Sequence, residues 1–215
     1  IMGPTGAGKG SFISQFTGNA HGVGHHLISC TSDIHATRIR ASSVVLVDTP
    51  GFDNPNITDL QILEMVSEWL ENTYEKVFFF ILFFHRITDN HMVETPLKNP
   101  RDFQKLCGKE GMGRVILVTT MWDEVEKPIG LERLRELKKS YWEAMITGGS
   151  KTFALKNDRA SAKKLLEMIV QDKPRPVTSA KWRRIRLPWK GGSFSLVVWT
   201  HLYLVIRLGL GLGKY

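Results

Sequence analysis

The chain has 215 residues, 42% hydrophobic and 23% charged, which suits one globular domain with a full core and excludes a disordered polymer. Its net charge of +8 is uneven: residues 1–172 hold 20 basic against 21 acidic residues, and the remaining 9 basic residues all follow Asp172, so no nucleic-acid-binding face is expected on the fold. Two cysteines, Cys30 and Cys107, with no CxxC pair, exclude a disulfide framework and predict a reducing, cytoplasmic compartment.

The chain opens on Ile1-Met2 and passes directly into Gly3-Pro4-Thr5-Gly6-Ala7-Gly8-Lys9, the G-x-x-x-x-G-K core of a phosphate-binding loop. Such a loop normally follows a buried strand of several residues, so the first strand is expected to be truncated. Glycines allow backbone angles that turn successive N–H groups toward a phosphate, and Lys9 would neutralise the β/γ oxygens. A helix opening at Ser11-Phe12-Ile13 adds its positive end. The position after Lys9, where a metal-ligating Ser or Thr is usual, is Gly10. Ser11 stands one residue further on as the nearest hydroxyl.

A first switch segment is expected between Gly18 and Arg40, with Thr31 as the hydroxyl that closes on Mg²⁺ and the γ-phosphate, ahead of Thr37 and Ser29. His25-His26 are adjacent, so they point apart and read as loop residues. The apolar run at 44–47 predicts a buried strand that ends in Asp48-Thr49-Pro50-Gly51. A carboxylate at that strand end suits Mg²⁺ held through water, and the Gly51 N–H suits a γ-phosphate sensor. Phe52 follows, where some GTPases carry a water-orienting Gln, so slow intrinsic hydrolysis is expected.

Helical spacing of apolar residues predicts a helix over 58–74, and buried strands are expected at 77–84 and 115–118. The second of these leads into Thr119-Thr120-Met121-Trp122-Asp123, ordered like the guanine-reading N/T-K-x-D motif. A carboxylate there can accept from guanine N1–H and the exocyclic amine, a pair that adenine lacks. Met121 stands where Lys is usual. Helices over 131–145 and 160–170 flank a last strand over 151–155, after which Asn157 falls where a base-sandwiching loop belongs.

This alternation predicts an α/β fold with an open, mostly parallel sheet and helices on both faces, over a domain of residues 1–171. Residues 172–215 form a basic, then apolar tail that is expected to be poorly ordered. Its stretch 194–212 approaches the length of a bilayer span, with Arg207 and His201 interrupting it, which makes membrane contact the less favoured reading.

Taken in order, GPTGAGKGSFI, SCTSDI, VLVDTPGFDN, FFHRITDNHMVETPLKNPRDFQKLCG and VILVTTMWDEVE make the chain resemble the septin-like and immune-associated (avrRpt2-induced) branch of P-loop GTPases. It is most similar to fungal proteins described as G-domain-containing. The resemblance covers roughly residues 1–170. It implies guanine nucleotide (GTP/GDP) and Mg²⁺ binding, slow hydrolysis, and nucleotide-dependent self-association as a homodimer or oligomer. Carried over by position, Gly3, Thr5, Gly6, Ala7, Gly8, Lys9, Gly10 and Ser11 would hold phosphates, with Gly51, Thr120, Asp123 and Asn157 completing the nucleotide site. Asp48, Thr31 and Ser11 would serve Mg²⁺, and Lys9 and Thr31 would act in catalysis. Arg86 and Asp89 in HRITD look like family features without an assigned chemistry. Two rivals stand beside this reading. One is a nucleotide-binding module without turnover, which Gly10, Phe52 and Met121 favour. The other is a nucleoside monophosphate kinase, which shares Gly8-Lys9-Gly10-Ser11 but needs an Arg-rich lid that this sequence does not display.

Overall fold

The computed structural model describes residues 1–18, 31–73, 80–89 and 109–172, with the backbone of 185–186 and 195–196. Three parallel strands form its centre in the order β3 (Ile81–Arg86), β4 (Val115–Thr120), β5 (Lys151–Ala154). Phe83 pairs with Leu117, and Val118 with Phe153. All six residues of β4 are buried, as continuous apolar runs in a covered parallel sheet must be. An antiparallel pair, β1 (His35–Arg38) and β2 (Val45–Asp48), lies beyond β3. Ile1 and Met2 fill the space between: the Ile1 amino nitrogen donates to Val47 O at 2.6 Å, and Met2 exchanges bonds of 2.9 and 2.8 Å with Leu82 and Phe84. A very short first strand thus joins the two sheets.

Side-chain alternation divides the core into two layers. On one face Leu82, Phe84, Ile116 and Val118 pack with Phe12 and Ile13 of α1 (Lys9–Thr17) and with Leu165 and Ile169 of α5 (Arg159–Gln171). On the other, Ile81, Phe83, Val115 and Leu117 pack with Ile62 and Val66 of α2 (Asp59–Thr73) and with Trp142 and Met145. Helices cover both faces of an open α/β sheet, as the alternation of elements predicts.

Two elements differ from expectation. The helix expected over 131–145 is α3 (Lys127–Glu136), a π-helical turn (Leu137–Tyr141) and α4 (Glu143–Thr147). Pro128 starts α3 early, since a proline in the first turn loses no helical hydrogen bond. The Trp142 N–H donates to Leu137 O at 2.8 Å, five residues back, and that wider turn swings Trp142 into full burial. β1 was not anticipated either, because His35-Ala36-Thr37-Arg38 is mostly exposed and has no apolar alternation.

Most of the expected first switch (19–30) and of the tail, including His25-His26 and the stretch 194–212, lies outside the described residues. Within the tail the backbone pairs Ile185 with Leu196 and Arg186 with Ser195, antiparallel. Among the described residues no helix is long and apolar enough to cross a membrane.

Candidate nucleotide site

The loop between the first short strand and α1 is shaped by backbone that only glycine accommodates. Gly3 lies at φ 140, and a Cβ there would sit 2.3 Å from Phe84 O. Gly8, at φ 85, caps α1 in the left-handed region. The first helical bond runs from Phe12 N to Gly8 O at 3.0 Å, so the N–H groups of Lys9, Gly10 and Ser11 open the helix ahead of it. Gly10 therefore contributes backbone where its side chain cannot contribute a hydroxyl. Lys9 folds back over the loop, its Nζ donating to Gly3 O and Pro4 O at 3.0 Å each. It is 8% exposed, and burial pushes its pKa down to about 8, against the opposing pull of Asp48.

Asp48 ends β2 almost fully buried. Thr31 Oγ1 donates to its Oδ2 at 3.3 Å, while Oδ1 has no hydrogen-bond partner. A buried carboxylate oxygen without a donor suits a hydrated cation, and Mg²⁺ is commonly held by one or two protein groups plus phosphates and water. The donor set fits that ion. No cluster of three or more His, Cys, Asp or Glu among the described residues offers an all-protein metal cage. Thr31 and Asp48, chosen separately from the sequence, are brought together here.

Gly51 abuts the loop so closely that a Cβ would lie 2.5 Å from Thr5 Oγ1 and 2.7 Å from Thr5 N. Thr5 donates its N–H to Phe52 O at 3.0 Å, and Phe52 donates to Gly3 O at 3.1 Å. The Thr5 N–H, expected at a phosphate, is thus engaged with the segment after β2, and the Ala7 N–H bonds Pro4 O. Phe52 is fully buried and stacks on Phe83, with centroids 6.1 Å apart. It belongs to the core.

On the other side of the loop is a cleft of about 150 Å³ bordered by Gly8, Ser11, Thr120, Met121, Asp123 and Asn157. Ser11 thus shares this cleft with Asp123 and Asn157, while Asp48 and Thr31 are not among its lining residues. Thr120 Oγ1 lies 3.1 Å from Ala7 O and 3.3 Å from His85 O. Its hydroxyl fastens the phosphate loop to the sheet, a structural task that the sequence reading did not foresee. Trp122 folds back, Nε1 donating to Thr119 Oγ1 at 3.0 Å, and its ring packs close on Gly130, where a Cβ would lie 3.0 Å from it. Asp123 is left exposed at the rim of the cleft. Asp158 caps α5, accepting from Ser161 N at 2.7 Å, and Asn157 stands just ahead of that cap at the cleft.

Residues after β3 complete the surroundings. Arg86 Nε pairs with Asp89 at 2.8 Å, and Thr88 Oγ1 approaches Met121 Sδ at 3.8 Å. Arg133 Nη1 donates to Ile87 O and Thr88 O, both at 3.0 Å. His85 is buried edge-on to Trp142, and that burial lowers its pKa although Asp89 pulls upward. Thr88 and Arg133 carried no signal in the sequence. Arg86 and Asp89 did, as features of the HRITD stretch.

A family model described as 50S ribosome-binding GTPase matches residues 1–120. Comparison with curated proteins gives no match. Among solved structures, the fold is similar to Toc33 from Arabidopsis thaliana in complex with GDP and Mg²⁺, with a TM-score of 0.61 and 16% identity over 82% of this chain and 85% of that one. Toc33 with Mg²⁺ and GMPPNP gives 0.60, again at 16% identity over 82% and 85%. A third structure, described as showing that dimerization is important for the GTPase activity of the chloroplast translocon components atToc33 and psToc159, gives 0.52 at 15% identity over 82% and 83%. At these identities the likeness is one of fold.

Proposed function

The chain belongs to the 50S ribosome-binding GTPase family, and from that premise we propose that it binds GTP and GDP with Mg²⁺ and hydrolyses GTP slowly. The observation that carries this reading is a cleft in which Gly8 and Ser11 of the phosphate loop meet Asp123 and Asn157. Phosphates and base of one nucleotide can reach both ends of it.

The chain's own residues divide the work. The N–H groups opening α1 and the Lys9 ammonium take the β- and γ-phosphate oxygens. Asp48 and the Thr31 hydroxyl would hold a hydrated Mg²⁺, which when bound would neutralise charge on those oxygens. The Gly51 N–H meets the γ-phosphate, and Asp123 accepts from guanine N1–H and the exocyclic amine. In hydrolysis a water oxygen bonds to the γ-phosphorus, the bond to the β-phosphate oxygen breaks, and GDP and phosphate leave. Phe52, buried on Phe83, supplies no amide to orient that water, which is why turnover is slow.

The motif order favours the septin-like and immune-associated branch, and self-association through the nucleotide face would then raise the rate. Residues 1–171 act as the G domain in the cytoplasm, and 172–215 as an appended tail. The burial of Phe52, with Gly10 and Met121 in place of the usual polar residues, also favours a second reading as a binding module without turnover. Phosphate release that rises per chain with protein concentration supports the first reading; tight GTP binding with no release at any concentration supports the second.

Fluorescent GTP, GDP and ATP titrations, with and without Mg²⁺, test the binding claim. GTP and GDP are expected to bind far more tightly than ATP. Asp123→Ala should lose about tenfold or more of the guanine preference, as an unpaired polar edge implies. Equal affinity for ATP and GTP in the unmodified chain would overturn the guanine assignment.

A further inference from the structure

Arg86 and Asp89 stand out in the sequence without a role, and the structure puts them beside the phosphate loop. Arg86 is the last residue of β3, at the strand end where ligands of an open α/β sheet bind. A methyl group built on Gly6 would lie 3.3 Å from Arg86 Nη1, so the guanidinium rests over the loop. Asp89 takes the opposite edge, its two oxygens 2.8 and 3.1 Å from Nε. The turn between them is held from two further sides. Ile87 N donates to Thr120 O at 3.0 Å, and Arg133 clamps the carbonyls of Ile87 and Thr88. The Arg86 side chain is 31% exposed and that of Asp89 13%, so the cation is open to solvent while its orienting carboxylate is mostly covered.

We infer that Arg86 is a further nucleotide-binding residue, oriented by Asp89 to place its Nη1 edge on the phosphate chain of the nucleotide bound in the same molecule. This rests on the guanine-nucleotide reading above. The chemistry favours it over a purely structural ion pair. A planar guanidinium with one edge fixed by a carboxylate offers the other edge to phosphate oxygens with little further loss of side-chain freedom. It also places positive charge where Lys9, engaged with Gly3 O and Pro4 O, is covered by the loop itself. The loop position facing Arg86 is glycine, and any side chain there would come between the guanidinium and the loop backbone.

The test uses the full chain and compares unmodified protein, Arg86→Ala, Arg86→Lys and Asp89→Asn. Affinity for fluorescent GDP and GTP is measured between 50 and about 300 mM salt, a range over which exposed charge interactions are strongly screened. Displacement by guanosine, which has no phosphate, is measured alongside. Arg86→Ala is expected to weaken GDP and GTP by about tenfold to a hundredfold, the scale of a lost charged hydrogen bond. It should leave guanosine displacement within about twofold and flatten the salt dependence. Arg86→Lys, which keeps the charge and the fold but loses the planar edge, should fall between, with Asp89→Asn weakening GDP to a lesser degree. Equal loss for guanosine and GDP with an unchanged salt slope would overturn the assignment in favour of a structural pair. A loss seen only at protein concentrations where the chain self-associates would overturn it in favour of a contact to the second copy's nucleotide. If the unmodified chain binds no guanine nucleotide, the broader reading fails instead, and the two failures are thereby distinguished.

Discussion

Lys9 shows how one side chain can be committed to a site before any ligand arrives. Its ammonium sits among carbonyl oxygens, nearly out of water, with a pKa pushed down to about 8 from the ordinary 10.5. Below pH 8 the group is charged in both the folded and the unfolded chain, and its burial lowers stability. Between about 8 and 10.5 the folded chain sheds a proton that the unfolded chain keeps, so the stability of the nucleotide-free protein rises with pH there. Phosphates favour the charged form, so nucleotide affinity should run the other way and fall above pH 8. Calorimetric GDP titrations at pH 9, in two buffers of different ionisation enthalpy, should show uptake approaching one proton per nucleotide. No uptake would mean that Lys9 is charged in the free protein at that pH. Single residues also mark the limit of motif reading. Thr120, expected at the nucleotide site, does border the cleft, but its hydroxyl lies against Ala7 O and His85 O, and nothing in the string Thr119-Thr120-Met121 foretells the carbonyls that the neighbouring chain segments bring.

Elements carry those residues by their ends. β2, β3 and β4 deliver Asp48, Arg86 and Thr120 at their carboxyl termini, while α1 and α5 bring Lys9 and Asn157 at the start of their helices. The cap of α5 therefore has a consequence for the site. Asp158→Ala should destabilise the protein by about 1 kcal/mol, the usual effect of a lost N-cap. It should also weaken GDP binding severalfold by loosening Asn157, without changing the preference for GTP over ATP. Thermal denaturation and the same fluorescence titration read both effects, and an unchanged affinity would show that Asn157 is held by other means. Strands of continuous apolar sequence were legible because burial on both faces demands such runs. The π-helical turn over Leu137–Tyr141 was not, since the same residues satisfy an α-helical pattern and the wider turn shows itself only where Trp142 is buried against the sheet, edge-on to His85. β1 escaped notice for the opposite reason: an exposed edge strand needs a partner's backbone more than an apolar pattern.

At the scale of the whole molecule, two cores on opposite faces of one sheet hold the strand ends level, and their buried members run from Ile1 to Ile169 among the described residues. Among the described residues, every member of the two cores precedes the basic tail. Removing residues 172–215 should leave GDP affinity within about twofold and shift the thermal midpoint by no more than a few degrees, the scale of about 1 kcal/mol. A large loss of either would bring the tail into the domain. The sequence by itself determined the α/β class, the phosphate loop and the order of its chemical stations, because these depend on local backbone needs and on residue types at short spacing. Glycine at positive φ, a carboxylate at a strand end and apolar runs are all written in neighbouring letters. Tertiary structure decided which stations meet. It joined Thr31 to Asp48 across seventeen residues, brought Ser11 into one cleft with Asp123, withdrew Phe52 into the core and laid Arg86 over Gly6. Those outcomes depend on how strands and helices stack, and distance through space between side chains has no counterpart in spacing along the chain.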